Sequence, residues 1–389
     1  MKRIVYLMEY PLDLPGGGQM STETLCTGLK EFETEWEPVV ICPKLLNKRP
    51  QDYPFKVLEY SALENREDAI LKRIYNFAGR MGSFLRLIKK ADPKLIHVSM
   101  SESLLTYGLI CRFPSLRKLP FVYTDRGLCY GYRSHTKFLM RKILKRSVGM
   151  ICTTEFNRAL WLKEELGIPI TVIPNTINKI FSEYDPSKRE EMRTAFGLTE
   201  SDFVIGFAGR ISEEKDWDFV PVLVKALSET GIRFKIALVI SVYEDKDIYI
   251  VERIKSGITE SIGEENLIYM QDLTQKEISD YYYLVDVFVM SSMFESFGKA
   301  AVEAMSRKCS VVSTSVGGLK EVVGKEENLY TKETVDRFVQ RVRRLFQDKE
   351  ELLRDREFFY NRYLENYTLK EHIARHCRLY EEIAGRHPV

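Results

Sequence analysis

Short apolar runs recur along the chain and alternate with amphipathic stretches that are long enough to be helices. The runs lie at residues 4–8, 39–42, 95–98, 121–124, 150–153 and 171–173 in the first half, and at residues 203–208, 236–240, 267–269, 285–290 and 310–313 in the second. Strands that are apolar on both sides and alternate with helices are typical of a parallel sheet covered by helices on both faces. The pattern therefore predicts an α/β fold with two doubly wound parallel sheets in tandem.

The junction between the two predicted domains lies near residue 174. Pro174 and Asn175 interrupt regular structure there, so we place the first domain at residues 1–174 and begin the second at residue 175. In open α/β sheets, ligands bind beyond the carboxyl ends of the strands. Candidate functional residues are therefore expected in the segments that directly follow an apolar run.

Composition excludes several classes of protein. Of the 389 residues, 44% are hydrophobic and 29% are charged, which excludes general disorder. No apolar run approaches the ~18 residues of a membrane-spanning helix. The seven cysteines are scattered and include no C-x-x-C pair, which favours reduced thiols in a cytoplasmic protein over disulfides or a zinc site.

The net charge of +2 hides an asymmetry between the two halves of the chain. Residues 1–174 carry 27 basic and 18 acidic side chains, a net charge of +9, whereas residues 175–389 carry 31 and 38, a net charge of −7. Opposite signs indicate two domains with different partners.

A glycine-rich segment follows the first apolar run. Gly16, Gly17 and Gly18 precede a helical pattern over residues 21–30, with Ser21 as a candidate N-cap. Glycines let the backbone approach a ligand, and a helix start supplies donors for an anion. The spacing does not match the dinucleotide-binding fingerprint, so a plain turn remains the alternative.

Two basic residues follow the apolar run at residues 203–208. Arg210 comes directly after Gly209, and Lys215 follows five residues later. A guanidinium and an ammonium that converge at the end of a strand suit a diphosphate. The alternative is a solvated charged loop.

The most specific motif follows the apolar run at residues 285–290. Glu295 is expected in a loop and Glu303 in a helix that opens near Phe297 and Gly298. The N–H groups at a helix start suit phosphate, and a carboxylate accepts two hydroxyl hydrogen bonds from a vicinal diol. The neighbours of Glu303 are mostly apolar, which predicts a buried carboxylate that needs partners. A second glycine-rich turn, at residues 317–318, is expected beside this motif.

The order of these motifs resembles the retaining GT-B glycosyltransferases of family 4. The shared features are the early glycines, Gly-Arg-x-x-x-x-Lys, Glu-x7-Glu and Gly-Gly-x-x-Glu; they cover nearly the whole chain and are strongest over residues 175–321. The resemblance implies two Rossmann-like domains that face a cleft. Residues 1–174 would serve the acceptor and residues 175–365 the nucleotide-sugar, and a C-terminal helix at residues 366–389 would return to the first domain.

The resemblance also implies roles for individual residues. The donor nucleotide would be bound by Gly209, Arg210, Lys215, Met270, Gln271 and Glu303, and the donor sugar and phosphate by Gly17, Gly18, Glu295, Ser296, Phe297 and Gly298. The catalytic residues would be Arg210, Lys215 and Glu295. The residues on the acceptor side would be Gly16, Gln19, Asp125 and Arg126. Where the family often carries Thr-x-His-Gly, with the histidine reaching the donor sugar, this chain has Thr-Asp-Arg-Gly at residues 124–127. Arg126 therefore leaves the donor sugar open.

The resemblance implies a retaining glycosyltransferase that needs no metal or other cofactor. The donor would be a nucleotide-sugar, UDP-linked by family frequency, and the acceptor a glycan, a lipid-linked carrier or a polymer of cell-surface polysaccharide biosynthesis. The alternatives are a sugar-nucleotide epimerase or phosphorylase of the same fold, or a non-catalytic nucleotide-sugar-binding protein.

Three further features have competing interpretations. Asp216 and Asp218 form a D-x-D pair, which we expect to be a coincidence rather than a metal site. His372 and His376 are expected at the surface. Residues 134–148 contain five basic side chains and no acidic one. They predict either a solvated helix face or contact of a cytoplasmic protein with an anionic membrane. Nucleic acid is not expected as a partner, because no stacking platform or recognised module accompanies the charge.

Overall fold

The computed structural model describes residues 1–14, 16–61, 70–242 and 247–386. They form two compact units: unit 1 comprises Met1–Thr176 and Leu369–Val389, and unit 2 comprises Ile177–Thr368. Each unit is built on one parallel sheet with helices around it. The predicted architecture of two parallel α/β sheets in tandem is confirmed.

The sheet of unit 1 has seven strands within the described residues, in the order β3-β2-β1-β4-β5-β6-β7. The strands are β1 (Lys2–Leu7), β2 (Trp36–Pro43), β3 (Lys56–Tyr60), β4 (Leu95–Val98), β5 (Phe121–Asp125), β6 (Gly149–Cys152) and β7 (Ile170–Val172). The helices of the first part of the chain are α1 (Gly17–Glu31), α2 (Ile70–Ala91), α3 (Ser101–Ile110), α4 (Ser134–Leu144) and α5 (Glu155–Leu162). The central strands are buried along their whole length, because helices cover both faces of the sheet.

The sheet of unit 2 has six strands within the described residues, in the order β10-β9-β8-β11-β12-β13. The strands are β8 (Val204–Arg210), β9 (Lys235–Ser241), β10 (Leu267–Gln271), β11 (Val287–Met290), β12 (Ser310–Thr314) and β13 (Leu329–Tyr330). The helices are α6 (Pro186–Ala195), α7 (Phe219–Ser228), α8 (Asp247–Ile262), α9 (Gln275–Tyr281), α10 (Lys299–Ser306), α11 (Leu319–Val323), α12 (Val335–Gln347) and α13 (Lys349–Asn366).

Helix α14 (Leu369–Arg386) belongs to unit 1, where it packs against α1. The hydroxyl of Tyr380 lies 3.0 Å from that of Tyr6 and 2.7 Å from Nδ1 of His97, and all three side chains are buried. His372 and His376 are buried as well, so the surface position expected for them is wrong. They lie on the face of the helix that packs on unit 1.

Two strands and one helix start differ from the sequence prediction. The missed strands, β3 and β13, are the edges of the two sheets; β3 carries charged residues that interrupt its apolar pattern, and β13 has only two residues. Helix α1 begins at Gly17, with Gly16 at the N-cap position. Ser21 therefore lies inside the helix, where its hydroxyl donates to the carbonyl of Gly17 at 2.7 Å, rather than at its start.

The strand order places one candidate ligand site in each unit. In unit 1 the order reverses between β1 and β4, and in unit 2 it reverses between β8 and β11. Connections leave in opposite directions at such a point, which opens a crevice beyond the carboxyl ends of the two strands. Among the described residues, no helix is long and apolar enough to cross a membrane.

Candidate functional site

The loops after β8 and β11 are bound to each other in unit 2. The hydroxyl of Ser291 donates to the carbonyl of Lys215 at 2.9 Å, and the amide of Met293 donates to the carbonyl of Glu214 at 2.8 Å. The indole of Trp217 donates to the carbonyl of Arg210 at 2.8 Å and closes the first loop on itself. A recess lined by Lys215, Trp217 and Ser291 lies at these strand ends.

The structure brings together the predicted cation of one loop and the predicted carboxylate of the other. Nζ of Lys215 lies 2.7 Å from Oε2 of Glu295, and both side chains are largely buried. Arg210 differs: its side chain is 58% exposed, and its only ion pair within the described residues is with Glu214, at 3.6 Å. Lys215 and Glu295 are therefore paired and largely shielded from water, whereas Arg210 is exposed.

The second glycine-rich turn holds Glu295 in place. The amide of Gly318 donates to the carbonyl of Glu295 at 2.9 Å. Gly317 has a φ of +51°, and a Cβ there would lie only 2.0 Å from the same carbonyl oxygen. No side chain fits at this position without moving Glu295. The turn thus positions Glu295, whereas the sequence indicated only that the turn lies beside the motif that contains Glu295.

Helix α10 starts directly beside the Glu295 side chain. Gly298 caps the helix with a left-handed φ of +95°, and a Cβ on it would lie 3.6 Å from Cγ of Glu295. Phe297 is buried and packs edge-on against Tyr367, with 5.7 Å between the centroids of the two rings. Ser296 and Gly298 thus stand between the carboxylate and the first turn of a helix, whose amides favour a phosphate.

Glu303 lies one turn further along α10. The hydroxyl of Tyr282 donates to its Oε2 at 3.1 Å. Burial raises the pKa of Glu303 to about 7, against the lowering effects of Lys299 and the Tyr282 hydroxyl. The sequence predicted that the Glu303 carboxylate needs a partner, and that partner is Tyr282. The carboxylate is partly exposed and can accept further hydrogen bonds from hydroxyl groups.

The remaining predicted donor residues lie at neighbouring strand ends. Gly209 is near the end of β8, and a Cβ there would lie in ordinary contact with Trp217 and Lys215, at 3.5 and 3.8 Å. Met270 packs on the hydrophobic core that contains Phe297. Gln271 ends β10; it is exposed, and its amide nitrogen donates to Asp272 at 2.9 Å.

Unit 1 has a pocket of about 240 Å³ at the carboxyl ends of β1, β4 and β5. Glu9 and Ser99 line it after the first two of these strands, and Arg126 lines it after the third. Gly18 and Gln19 line it from the first turn of α1. The structure therefore brings part of the glycine-rich segment and Arg126 to one pocket.

Asp125 requires a correction of its predicted acceptor role. It is fully buried, and its carboxylate accepts hydrogen bonds from the hydroxyl of Tyr132 at 2.5 Å, the amide of Asn157 at 2.9 Å and the indole of Trp161 at 2.5 Å. These donors come from the segments after β5 and β6 and fix Asp125 in the core of unit 1. An acceptor cannot reach this carboxylate in this arrangement.

The two carboxylates of the D-x-D pair point to different cations. Asp216 pairs with Lys332, and Asp218 pairs with Arg253 at 2.6 Å. Over the described part of the chain, no group of three histidine, cysteine, aspartate or glutamate side chains is placed to hold a metal ion.

Comparison with known families covers both units. Residues 15–179 match the family model described as Glycosyltransferase Family 4, and residues 188–361 match the one described as Glycosyl transferases group 1. The chain belongs to the family 4 glycosyltransferases. Its parallel sheets and its solved structural relatives agree with the GT-B fold of that family.

Curated relatives match parts of this family 4 chain. The 2-deoxystreptamine glucosyltransferase of Streptomyces kanamyceticus is 32% identical over 189 residues, 48% of this chain and 47% of the relative. The putative teichuronic acid biosynthesis glycosyltransferase TuaC of Bacillus subtilis is 23% identical over 254 residues, 64% of this chain and 60% of the relative. The chain thus spans about half the length of the first relative and less than two thirds of the second.

Solved structures match over nearly the whole chain. Sucrose-phosphate synthase from Thermosynechococcus elongatus has a TM-score of 0.80 and 17% identity, covering 99% of this chain and all of that one. Anabaena HepE, solved in complex with UDP-glucose, has a TM-score of 0.76 and 16% identity, covering 98% of this chain and all of that one. At such identities these likenesses establish the fold.

Several residues at the two sites were not assigned a role from the sequence. Tyr282 contacts Glu303 from a distant element, and no local signal identifies that contact. The glycine-rich turn at residues 317–318 was expected beside Glu295, but its contact with the Glu295 carbonyl was not. Asn175 accepts a hydrogen bond from Arg126 at 2.7 Å. Glu9 could have been found, because an acidic residue directly follows the first buried strand.

Replacing Gly317 by alanine should destabilise unit 2 through its contact with Glu295. The comparison is Gly197→Ala, which has a similar φ of +64° but no heavy atom within 4 Å of the new Cβ. Overpacking adds about 1–3 kcal/mol to the cost of the left-handed backbone alone, so Gly317→Ala should lower the free energy of unfolding by that much more than Gly197→Ala. Urea unfolding followed by tryptophan fluorescence measures both; equal losses would contradict the positioning role.

Glu303→Gln should alter the pH dependence of stability. Because burial raises the pKa of Glu303 from 4.5 to about 7, the folded state favours its protonated form. Wild-type stability is therefore lost as pH rises from about 4.5 through 7, and the variant should gain in melting temperature relative to wild type between pH 5 and pH 8. Glu277→Gln is the control, since hydrogen bonds from Thr274 lower the pKa of Glu277; its relative melting temperature should not rise. If the difference in melting temperature between Glu303→Gln and wild type does not change with pH, the carboxylate of Glu303 does not have a raised pKa.

Proposed function

We propose that this chain transfers a sugar from a nucleotide-sugar to a hydroxyl of a glycan, lipid-linked or polymer acceptor. The observation that carries the proposal is the pair of Lys215 and Glu295, held at 2.7 Å where the strand order of unit 2 reverses. This pair offers a cation to a diphosphate and a carboxylate to sugar hydroxyls at the same strand ends. Family membership supports the same reaction class.

Different residues of unit 2 bind different parts of the donor. The ammonium of Lys215 and the amides at the start of α10 stabilise the charge that develops on the departing diphosphate. Glu303, beside Tyr282, accepts hydrogen bonds from the ribose hydroxyls. Glu295, fixed through its carbonyl by Gly318, accepts those of the transferred sugar. Arg210, exposed at the end of β8, closes on the phosphates when the donor is bound.

The finer features of the reaction are part of the proposal. A UDP-linked donor is supported by the fold shared with HepE, which was solved with UDP-glucose. Retention of the anomeric configuration and independence of a metal follow the family resemblance. A role in cell-surface polysaccharide synthesis is supported by the similarity to TuaC, described as a teichuronic acid biosynthesis enzyme.

Neutralising either member of the ion pair should reduce turnover of UDP-glucose. Removing one preorganised electrostatic group at such a site costs about 10²–10³ in rate, so Lys215→Gln and Glu295→Gln should each slow UDP release by that factor. The double variant should lose less than the product of the two, because the partners act as a unit. Coupled detection of UDP, with calorimetric binding of UDP itself, measures these effects.

A matched control is the surface pair of Lys255 and Glu252 on α8, at 2.9 Å. Lys255→Gln should leave UDP release unchanged. If Lys215→Gln and Glu295→Gln behave like this control while UDP still binds, the site assignment is wrong. Products identify the reaction: a glycoside or free sugar agrees with a transferase, whereas an isomerised UDP-sugar or a sugar phosphate would indicate an epimerase or a phosphorylase.

We also infer that residues 134–148 meet an anionic membrane beside the acceptor. In α4, Phe138 and Leu139 are 53% and 47% exposed, and Nζ of Lys142 lies 4.3 Å from the centre of the Phe138 ring. Lys137 and Arg141 instead pair with Glu164, at 2.9 and 3.4 Å. The face that supports this inference is therefore narrower than the sequence implies: two apolar side chains with Lys142, Lys145 and Arg146.

Replacing these three exposed basic residues by glutamine should abolish the preference for anionic vesicles. Each basic side chain near such a surface contributes about 1 kcal/mol, so the triple variant should bind phosphatidylglycerol-containing vesicles about a hundredfold more weakly. Lys44, Lys56 and Lys89 are exposed elsewhere in unit 1; their triple glutamine variant changes the net charge equally and should bind like wild type. Vesicle sedimentation that gives equal losses for both triples would contradict a specific membrane face.

A further inference from the structure

Arg126 is a half-buried cation that has no anionic partner within the described residues. Its guanidinium makes one hydrogen bond within the described residues, from Nη1 to Oδ1 of Asn175 at 2.7 Å, and its Nε is buried with no acceptor. No ion pair joins Arg126 to a carboxylate over the same residues. The adjacent Asp125 cannot serve, because Tyr132, Asn157 and Trp161 already occupy its oxygens.

Such an arrangement is costly for the folded protein. A charge that is partly removed from water is normally paired, because an unpaired charge loses solvation and gains no attraction in return. Burial lowers the pKa of Arg126 to about 10, so the group remains a cation at neutral pH. The groups that act on it most strongly after burial are the hydroxyls of Tyr380, Tyr6 and Tyr123, which are uncharged at that pH. An anion that arrives with a ligand would supply the missing charge.

The position of Arg126 makes it accessible to a ligand. Part of its side chain lines the 240 Å³ pocket of unit 1, at the strand ends where ligands of open α/β sheets bind. Gly18, in the first turn of α1, lines the same pocket. The helix has 15 residues, and its N-cap residue, Gly16, makes no side-chain capping hydrogen bond. The positive end of the helix dipole adds to the attraction for an anion.

One acidic side chain, Glu9, also lines this pocket. Its Oε2 accepts a hydrogen bond from the amide of Ser103 at 2.5 Å, at the start of α3. Burial, and then the nearby Glu102, raise the pKa of Glu9 to about 7. Glu9 is therefore committed to the start of α3 and only partly charged at neutral pH, which leaves Arg126 as the dominant charge for a ligand.

We propose that the pocket of unit 1 is a subsite for an anionic group of a substrate, a carboxylate or a phosphate, which Arg126 binds. The inference rests on the proposed function only for the identity of the molecule that carries the anion. That molecule is either the donor, as a nucleotide-linked uronic acid, or the acceptor, as a phosphorylated sugar. Guanidinium binds both groups through paired, charge-assisted hydrogen bonds.

Two probe pairs distinguish these sources in the full-length protein. UDP-glucuronate against UDP-glucose tests the donor, and glucose 6-phosphate against glucose, without nucleotide, tests the acceptor. Wild type should bind the anionic member of one pair about tenfold to a hundredfold more tightly, as measured by calorimetry or ligand-observed NMR. Arg126→Gln should remove the preference, Arg126→Lys should retain part of it, and Arg126→His should behave like Arg126→Gln at pH 8.

Asn175→Ala is the matched control, because it removes the hydrogen bond between Arg126 and Asn175 and leaves the charge of Arg126. It should keep the anion preference; if it loses the preference as fully as Arg126→Gln, Arg126 only anchors Asn175 and the proposal fails. No preference in either probe pair, or one that survives Arg126→Gln, also overturns it. Normal UDP binding with no anion preference refutes this subsite alone. Absent UDP binding refutes the proposed function, and the glucose 6-phosphate pair still decides the subsite.

Discussion

The ion pair between Lys215 and Glu295 is the interaction on which the site of unit 2 depends. Its partners come from the loops after β8 and β11, and hydrogen bonds from the second loop to backbone carbonyls of the first hold the two loops together. Gly317 and Gly318 extend this constraint to the turn after β12, which holds the carbonyl of Glu295. Three strand ends thus fix one cation and one carboxylate. In the proposed reaction, a phosphate group of the donor replaces Glu295 as the partner of Lys215, and sugar hydroxyls replace Lys215 as the partners of Glu295.

The two units use the same sheet geometry for different chemistry. Each places its candidate site where the strand order reverses, yet unit 2 presents a paired lysine, and unit 1 presents a half-buried arginine that has no carboxylate partner in the described part of the chain. Net charge does not follow this division: residues 175–389 are acidic overall but contain Lys215, the cation proposed to bind the diphosphate. Local geometry, rather than the sum of charges, determines what each unit attracts. The basic excess of residues 1–174 agrees with an anionic partner on the acceptor side.

The apolar pattern predicted the central strands well because strands buried on both faces leave an unambiguous signal. It missed β3, where Lys56 and Glu59 interrupt the apolar pattern, and β13, which has only two residues. The motifs singled out Lys215, Glu295 and Glu303 as candidates, since each lies in the segment between one strand of unit 2 and the next. The motifs could not show features that depend on contacts between distant segments. Asn157 and Trp161 donate hydrogen bonds to the Asp125 carboxylate, and two histidines of α14 are buried where that helix packs on the rest of unit 1. Spacing along the chain carries no information about such partners.

The most direct test of the central claim is a crystal structure of the full-length protein with UDP. The account predicts the diphosphate beside Lys215 at the start of α10 and the ribose hydroxyls within hydrogen-bond distance of Glu303, with the Lys215–Glu295 contact loosened. UDP bound at another place, or no bound UDP at millimolar concentration, with Lys215–Glu295 and Tyr282–Glu303 unchanged, would contradict it.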